Sequence, residues 1–106
     1  YATDGSEGSL AAGRLLTRLP LTEDDRILVL SVSSGEEGAI AVEASRAELE
    51  GTPALVQAHV KDGPAAETIL LTAAEEKADF IALGAMGHTG LAGYLLDDPK
   101  APLATI

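Results

Sequence analysis

The sequence predicts an α/β domain built on an open parallel sheet. Continuous apolar runs, the clearest at Arg26–Val32, are typical of parallel strands buried on both faces. Stretches with apolar residues at helical spacing separate these runs, so strands and helices alternate along the chain. At 106 residues the chain has the size of a single domain, which we take as residues 1–106. Such sheets bind ligands beyond the carboxyl ends of their strands.

The first half predicts three strands and two helices. Tyr1–Thr3 reads as the end of a strand, and Ser6 is a good N-cap for a helix that ends near Pro20. The apolar stripe of that helix is expected at Ala12, Leu15, Leu16 and Leu19. A second helix over about 36–50 follows the Arg26–Val32 strand, and Gly51 suits its C′ position. Its apolar side is expected at Ile40, Ala44 and Ala47, and the third strand at Ala54–Val60.

The second half continues the alternation. Asp62-Gly63-Pro64 predicts a turn, with Pro64 in the first turn of a third helix. The buried stripe of that helix is expected at Ala66, Ile69, Leu70 and Ala73. Phe80–Leu83 is a fourth strand, and the tail supplies a last strand from about Leu103.

Composition excludes several classes of protein. The absence of cysteine excludes disulfides and thiolate chemistry. A net charge of −10 argues against nucleic-acid binding and implies a divalent metal beside any bound polyphosphate. So acidic a chain could also reflect a high-salt cytoplasm. No apolar run approaches the roughly 20 residues that span a bilayer, and no signal peptide is evident, so we expect a soluble cytoplasmic protein without a membrane partner.

The stretch from Ala78 to Leu96 carries the strongest functional signal. Gly84, Gly87 and Gly90 follow the fourth strand, and a helix is expected from about Leu91. Glycines let backbone N–H groups approach a ligand, and a helix N-terminus adds partial positive charge, so a phosphate group is the expected ligand. The alternative is that these glycines serve only the turn.

No catalytic or metal-ligand set stands out in the sequence. His59 ends a strand without a second ligand at suitable spacing, so a metal site is not expected. His88 could meet a phosphate, although a solvated loop histidine is the simpler interpretation. Enzymes of the ATP-pyrophosphatase type have a similar α/β architecture and need Ser-Gly-Gly-x-Asp-Ser after the first strand. The corresponding stretch here, Thr3-Asp4-Gly5-Ser6-Glu7, lacks that motif. We expect no enzyme, beyond slow ATP hydrolysis at most.

Several motifs together resemble the universal stress protein family, over essentially the whole chain. They are Ala2-Thr3-Asp4-Gly5-Ser6-Glu7, Asp62-Gly63-Pro64-Ala65-Ala66-Glu67-Thr68-Ile69, Ala78-Asp79-Phe80-Ile81-Ala82-Leu83-Gly84 and Pro102-Leu103-Ala104-Thr105-Ile106. The resemblance implies five parallel strands in the order 3-2-1-4-5 with helices on both faces, an adenine nucleotide alpha hydrolase-like fold. It also implies a homodimer through the final strand, at Leu103, Ala104, Thr105 and Ile106.

The ATP-binding branch of the family carries Gly-x-x-Gly, nine residues, and then Gly-Ser or Gly-Thr. Gly84-Ala85-Met86-Gly87 is similar to the first half, but Asp97-Asp98 stands where the second half belongs. Two carboxylates there would repel a triphosphate. Either nucleotide binding is lost, or the sequence lacks a segment, since only residues 97–101 separate Leu96 from Pro102 where the family has a helix. We favour the second interpretation.

The resemblance also implies a set of nucleotide-binding positions. Asp4 would contact adenine by its side chain and Val32 by its backbone, with Ala2 and Thr3 lining the nucleoside pocket. The ribose and phosphate region would be lined by Leu83, Gly84, Gly87 and His88. Asp4 is equally suited to an Asx turn or helix cap, and Val32 to the core.

The leading interpretation is an adenine-nucleotide-binding protein of this family, a homodimeric sensor or regulator in the stress response. Its ligand would be ATP, AMP or ADP, with Mg²⁺ as a candidate counter-ion, and its protein partner is not identified by sequence. The alternative is a member without nucleotide that serves as a dimerisation or interaction module.

Overall fold

The computed structural model of the chain describes residues 1–84 and the backbone of residues 103–105. Helices and strands alternate through the described part, as the apolar runs and helical spacings predict. The elements are α1 (Glu7–Leu16), β1 (Arg26–Val32), α2 (Glu36–Glu48), β2 (Leu55–Lys61), α3 (Ala65–Glu75), β3 (Ile81–Leu83) and β4 (Leu103–Thr105).

The strands pair in parallel, which confirms the predicted α/β class with a parallel sheet. β1 pairs with β2, in a register that sets Arg26 opposite Leu55 and Val32 opposite Lys61. β3 pairs with β4, with Ala82 opposite Ala104. The carboxyl ends of β1 and β2 therefore meet at one edge of their sheet, as do those of β3 and β4.

The first three residues lie between these two pairs of strands. The backbone N–H of Thr3 donates to the Leu30 carbonyl oxygen of β1 (2.9 Å), and that of Ala2 donates to the Ala82 carbonyl oxygen of β3 (3.0 Å). The first strand of the order 3-2-1-4-5 would occupy this place. Residues 1–3 form only an isolated bridge, between Ala2 and Leu30, so the complete five-stranded order stays a prediction.

Helices cover both faces of the sheet. Successive residues of a strand point to opposite faces, so β1 contributes to two separate apolar clusters. On one face Leu30 packs with Ile69 of α3 and with Ile81 and Leu83 of β3. On the other face a second buried apolar cluster is formed by Leu16, Ile27, Val29, Val42, Leu49, Ala54 and Ala82.

The predicted apolar stripe of α1 is partly wrong. The helix ends at Leu16 rather than near Pro20, and Leu15 and Leu19 are 40% and 41% exposed. Its buried side is instead formed by Ser9, Ala12, Gly13 and Leu16. Small residues are needed there because the Tyr1 ring lies against α1. A Cβ added at Gly13 would lie 2.8 Å from the Tyr1 hydroxyl oxygen.

The predicted apolar side of α2 is also wrong. Ile40 is 67% exposed, and the buried residues are Gly38, Ala41, Val42 and Ser45. The reason is close packing, because a Cβ at Gly38 would collide with Val60 and lie 2.8 Å from Ser33 Oγ. A side chain as large as isoleucine does not fit this interface.

The remaining element boundaries differ from the prediction by small shifts. β2 begins one residue later than expected and ends at Lys61. β3 begins at Ile81, because Phe80 lies before the paired segment and is 42% exposed. In α3 Ile69 is buried as predicted, with Leu70 and Ala73 packed against the same cluster. Gly51 has a φ of +94° and lies two residues beyond the C-cap Leu49.

No helix in residues 1–84 has the length and apolar character needed to cross a bilayer.

Candidate functional site

The candidate site is built on the turn that leads from the first segment into α1. Asp4 Oδ1 accepts hydrogen bonds from the backbone N–H of Ser6 (2.9 Å) and from Ser9 Oγ (2.8 Å). The first of these is an Asx turn, in which an aspartate side chain closes the loop two residues ahead. Gly5 adopts a φ of +78°, which few other residues tolerate. These contacts fix the Asp4 side chain at the exposed end of the segment.

The helix after the turn is capped by Ser6. Its hydroxyl oxygen accepts a hydrogen bond from the backbone N–H of Ser9 at 3.3 Å, as the sequence predicts. Glu7 lies in the first turn, where its negative charge is favourable to the helix dipole. The position of α1 relative to Asp4 is therefore set by two serines, at the cap and one turn later.

Thr3 is held beneath the turn by a buried polar pair. Its Oγ1 lies 2.7 Å from Ser45 Oγ of α2 and also accepts from the backbone N–H of Gly5 at 3.1 Å. Thr3 is 6% exposed and Ser45 is completely buried. Buried hydroxyls without partners are costly, so this pair specifies how α2 docks against the first segment.

Tyr1 completes the polar network under the site. Its hydroxyl donates to the backbone carbonyl of Ser9. Burial raises the pKa of the Tyr1 phenol above its usual value, and hydrogen bonds to Ser45 and Thr3 oppose that shift. The phenol therefore stays protonated at neutral pH and remains a donor.

The loop after β1 forms the neighbouring part of the same edge. Val32 is half-buried and packs against the apolar cluster that contains Leu30 and Ile69. The backbone N–H of Ser33 donates to the Lys61 carbonyl oxygen (3.0 Å). Gly35 is the N-cap of α2, with a φ of +69° and no side-chain cap. Within residues 1–84, the Ser33 hydroxyl is buried without a hydrogen-bond partner.

Gly84 brings the end of β3 into direct contact with the start of α1. A Cβ at this position would lie 2.6 Å from the Gly8 carbonyl oxygen and 2.9 Å from the Ser9 nitrogen. Only glycine allows the two backbones to approach so closely. The predicted phosphate turn therefore begins immediately beside the N-terminal turn of α1.

Six predicted site residues lie in this region of the described chain. Ala2, Thr3 and Asp4 follow one another along the first segment, while Val32 and Leu83 end β1 and β3. The side chains of Ala2, Val32 and Leu83 share one apolar cluster. Their roles toward a ligand stay predictions, as does that of Gly84. Gly87, His88 and Ile106 lie outside the described residues, as do Asp97 and Asp98.

Two residues that support the site are not predicted from the sequence, namely Ser9 and Ser45, the partners of Asp4 and Thr3. Ser45 belongs to the stripe of small residues Gly38, Ala41, Val42 and Ser45, which has helical spacing. That spacing could have identified it. Among residues 1–84 the histidines and carboxylates form no group of three that could hold a metal ion.

Two clefts border the described sheet. The smaller, of about 260 Å³, is at the site and is lined by Asp4, Gly5, Glu37, Ile40, Ala41 and Ala44. The larger, of about 300 Å³, borders the amino ends of β1 and β3, where Leu28, Phe80 and the Arg26–Glu76 ion pair lie. We assign the site to the carboxyl edge despite its smaller cleft, because open α/β sheets bind ligands there.

Comparisons with known proteins agree with this architecture. A model of the universal stress protein family matches residues 35–99. The structure is similar to the crystal structure of a universal stress protein family protein from Arabidopsis thaliana with AMP bound, with a TM-score of 0.77. That match covers 99% of this chain and 87% of the other at 18% identity, and it shows the shared fold. A search of curated proteins finds no match.

The Thr3–Ser45 pair generates a test of how the site is supported. Thr3→Val removes one hydroxyl and leaves the buried Ser45 hydroxyl and the Gly5 N–H without that partner. We expect it to lower the free energy of unfolding by about 1–3 kcal/mol, and Ser45→Ala to cost less. In the double variant the two losses should not add, since both remove the same contact. Urea unfolding of the four proteins measures this, and strictly additive losses would contradict the pairing.

Proposed function

Because the chain belongs to the universal stress protein family, we propose that it binds an adenine nucleotide at the carboxyl edge of its sheet. The observation that carries the proposal is the likeness in fold, over 99% of this chain, to a protein with AMP bound. ATP, ADP and AMP share the adenosine that this edge would recognise, and Mg²⁺ would offset the charge of a triphosphate on a chain of net charge −10.

The geometry at the first turn supports the proposal. The Asp4 carboxylate is exposed at the end of the first segment, and Gly84 lies against the N-terminal turn of α1. A carboxylate suits the amine and hydroxyl donors of a nucleoside, whereas a glycine beside a helix N-terminus suits a phosphate. A nucleotide laid along this edge would therefore place its base near Asp4 and its phosphates toward Gly84, where the predicted glycine turn begins.

The proposed role is that of a homodimeric sensor or regulator in the stress response, located in the cytoplasm. It requires no catalysis, and we expect slow ATP hydrolysis at most. A nucleotide bound to Asp4 would affect the start of α1 directly, because Asp4 is hydrogen-bonded to the N-cap Ser6 and to Ser9 in the first turn of that helix.

The alternative is an interaction module of the same fold that binds no nucleotide. Two observations favour it. Asp4 Oδ1 already accepts two internal hydrogen bonds, as an Asx turn alone would require. Counted along the sequence as it stands, nine residues also separate Gly87 from Asp97-Asp98, which is where the family's nucleotide-binding branch has its Gly-Ser pair.

Asp4→Asn separates these two functions. An asparagine oxygen can still close the Asx turn, so the fold is preserved while the charged acceptor is lost. We expect the affinity for AMP and ATP to fall at least about tenfold, because a charge-assisted hydrogen bond is lost. Calorimetric titration with and without Mg²⁺ measures this, with Asp24→Asn, on an exposed carboxylate at the opposite edge, as the control. Absence of nucleotide binding to the wild-type chain would reject the proposal in favour of the interaction module.

The dimer generates a separate prediction. β4 is hydrogen-bonded to β3 on one side, and a second copy could pair along its other side. Light scattering should give twice the 10.8 kDa chain mass, and Ala104→Lys should shift the protein toward the monomer. A wild-type monomer at micromolar concentration would rule this interface out.

A further inference from the structure

The outer side of β2 presents backbone groups that face away from the sheet. Within the described residues β2 pairs with β1 alone. The Leu55 N–H donates to the Asp25 carbonyl oxygen (3.0 Å), and at the other end the Lys61 carbonyl oxygen accepts from Ser33 (3.0 Å). Backbone groups alternate in direction along a strand, so the odd-numbered residues of β2 bond to β1. The residues that point their N–H and C=O groups outward, which we call the β2 edge, are Val56, Ala58 and Val60.

The β2 edge lacks the features that protect a sheet edge from pairing. Proteins shield such edges with charged side chains, proline, bulges or very short strands. β2 has seven residues in unbroken register with β1, and Lys61 is the only Asp, Glu, Lys or Arg among them. The Lys61 ammonium lies on α3, 3.0 Å from Thr72 Oγ1 and 3.7 Å from a Glu75 carboxylate oxygen. It is therefore directed away from the β2 edge.

The side chains along β2 favour contact with another copy of the chain. Leu55 and Val60 are 56% and 43% exposed. Residues 51–61 contain no carboxylate, whereas the chain as a whole has 17 acidic residues and a net charge of −10. Two copies of so acidic a chain repel each other, so they approach most easily at a segment without carboxylates.

One antiparallel register satisfies the whole β2 edge. A two-fold axis through Ala58, perpendicular to the sheet, sets Val56 opposite Val60 of the second copy and Ala58 opposite its own counterpart. The outward-pointing residues then form three pairs, and each pair exchanges two N–H···O bonds. An axis through Gln57 or His59 keeps only two such pairs within β2. Neither helix stands in the way, since α2 packs on both β1 and β2 and α3 packs on β1.

The same register matches the side chains. Val56 and Val60 both face α2, and as opposite neighbours they form a β-branched pair of the kind that stabilises sheets. On the other face Leu55 lies opposite Lys61 of the second copy. That pair is not hydrogen-bonded through its backbone, so its side chains come close and the leucine covers the aliphatic stem of the lysine. No two like charges lie opposite each other.

We propose that a second copy of this chain pairs antiparallel along the β2 edge, with Ala58 at the two-fold axis. This interface is separate from the pairing proposed for β4, and it does not depend on nucleotide binding. β2 and β4 are the outermost of the described strands, so the two interfaces together join dimers into larger assemblies. Seven residues a side is fewer than the roughly 20–30 of a stable interface, so this pairing requires high protein concentration.

Single-cysteine variants of the full chain, which has no cysteine of its own, test the register. In Ala58→Cys the two thiols face each other across the axis, with Cα atoms about 5.5 Å apart, a separation that a disulfide spans. Oxidised glutathione, which is reduced as the disulfide forms, should therefore produce a covalent dimer on a non-reducing gel. Gln57→Cys is the matched control. It is more exposed than Ala58 but lies opposite His59 of the second copy, so it should cross-link at least about tenfold more slowly.

Two charge variants at Leu55 test the interface in a second way. Leu55→Glu sets a carboxylate opposite Lys61 of the second copy, whereas Leu55→Lys sets a second ammonium there. We expect Leu55→Glu to associate about two- to tenfold more tightly than Leu55→Lys. Repulsion between net charges alone predicts the reverse order, because the glutamate makes the chain more negative. Sedimentation equilibrium measures both, with Ala104→Lys added to each to remove the pairing of β4.

Circular dichroism verifies that the variants are folded, and the exposed position of Leu55 keeps the interface testable even if Ala58→Cys is unstable. Selective cross-linking at residue 58 and tighter association of Leu55→Glu would support the proposal. Cross-linking at residue 57 as fast as at residue 58 would overturn the register. Tighter association of Leu55→Lys, or monomers of all Ala104→Lys proteins up to roughly 1 mM, would overturn the interface itself.

Discussion

The backbone hydrogen bonds of Ala2 and Thr3 link the two strand pairs of the described structure. Through them the first segment is joined to β1 on one side and to β3 on the other. Because both partners are strands, the segment cannot slide without breaking bonds at the Leu30 and Ala82 carbonyls. Everything proposed for the site depends on this position, since the turn at Asp4 begins one residue beyond.

The second constraint is close packing around that segment. Small residues occur where backbones approach one another around it: Gly13 of α1 beneath Tyr1, Gly38 of α2 beside Val60 and Ser33, and Gly84 after β3 against Gly8 of α1. Buried hydroxyls then pair within the remaining space, as Thr3 and Ser45 do. The same packing excludes large side chains from the inner surface of α2 and leaves Ile40 exposed at the smaller cleft. A structural requirement thus produces an apolar surface beside a candidate ligand site.

The sequence predicts the strands of this fold better than the packing of its helices. A continuous apolar run such as Arg26–Val32 has few alternatives to a buried parallel strand, and β1 has those bounds. Helical periodicity considers only hydrophobicity, so it predicts Ile40 on the buried face of α2. That face lies so close to β2 and the loop after β1 that a side chain as large as isoleucine does not fit there. Asp4 was recognised as a site candidate from its motif. Its partner Ser9 lies in the first turn of α1, and their contact depends on the direction in which the turn at Gly5 starts that helix.

The central claim is that an adenine nucleotide binds at the carboxyl edge of the sheet. Titration of isotopically labelled protein with AMP, followed by the backbone amide resonances, tests it most directly. We expect the largest shifts at Asp4, Gly5 and Ser33, with little change at Leu28 and Phe80 in the larger cleft at the opposite edge. Shifts confined to Leu28 and Phe80, or no shifts at saturating AMP, would contradict it.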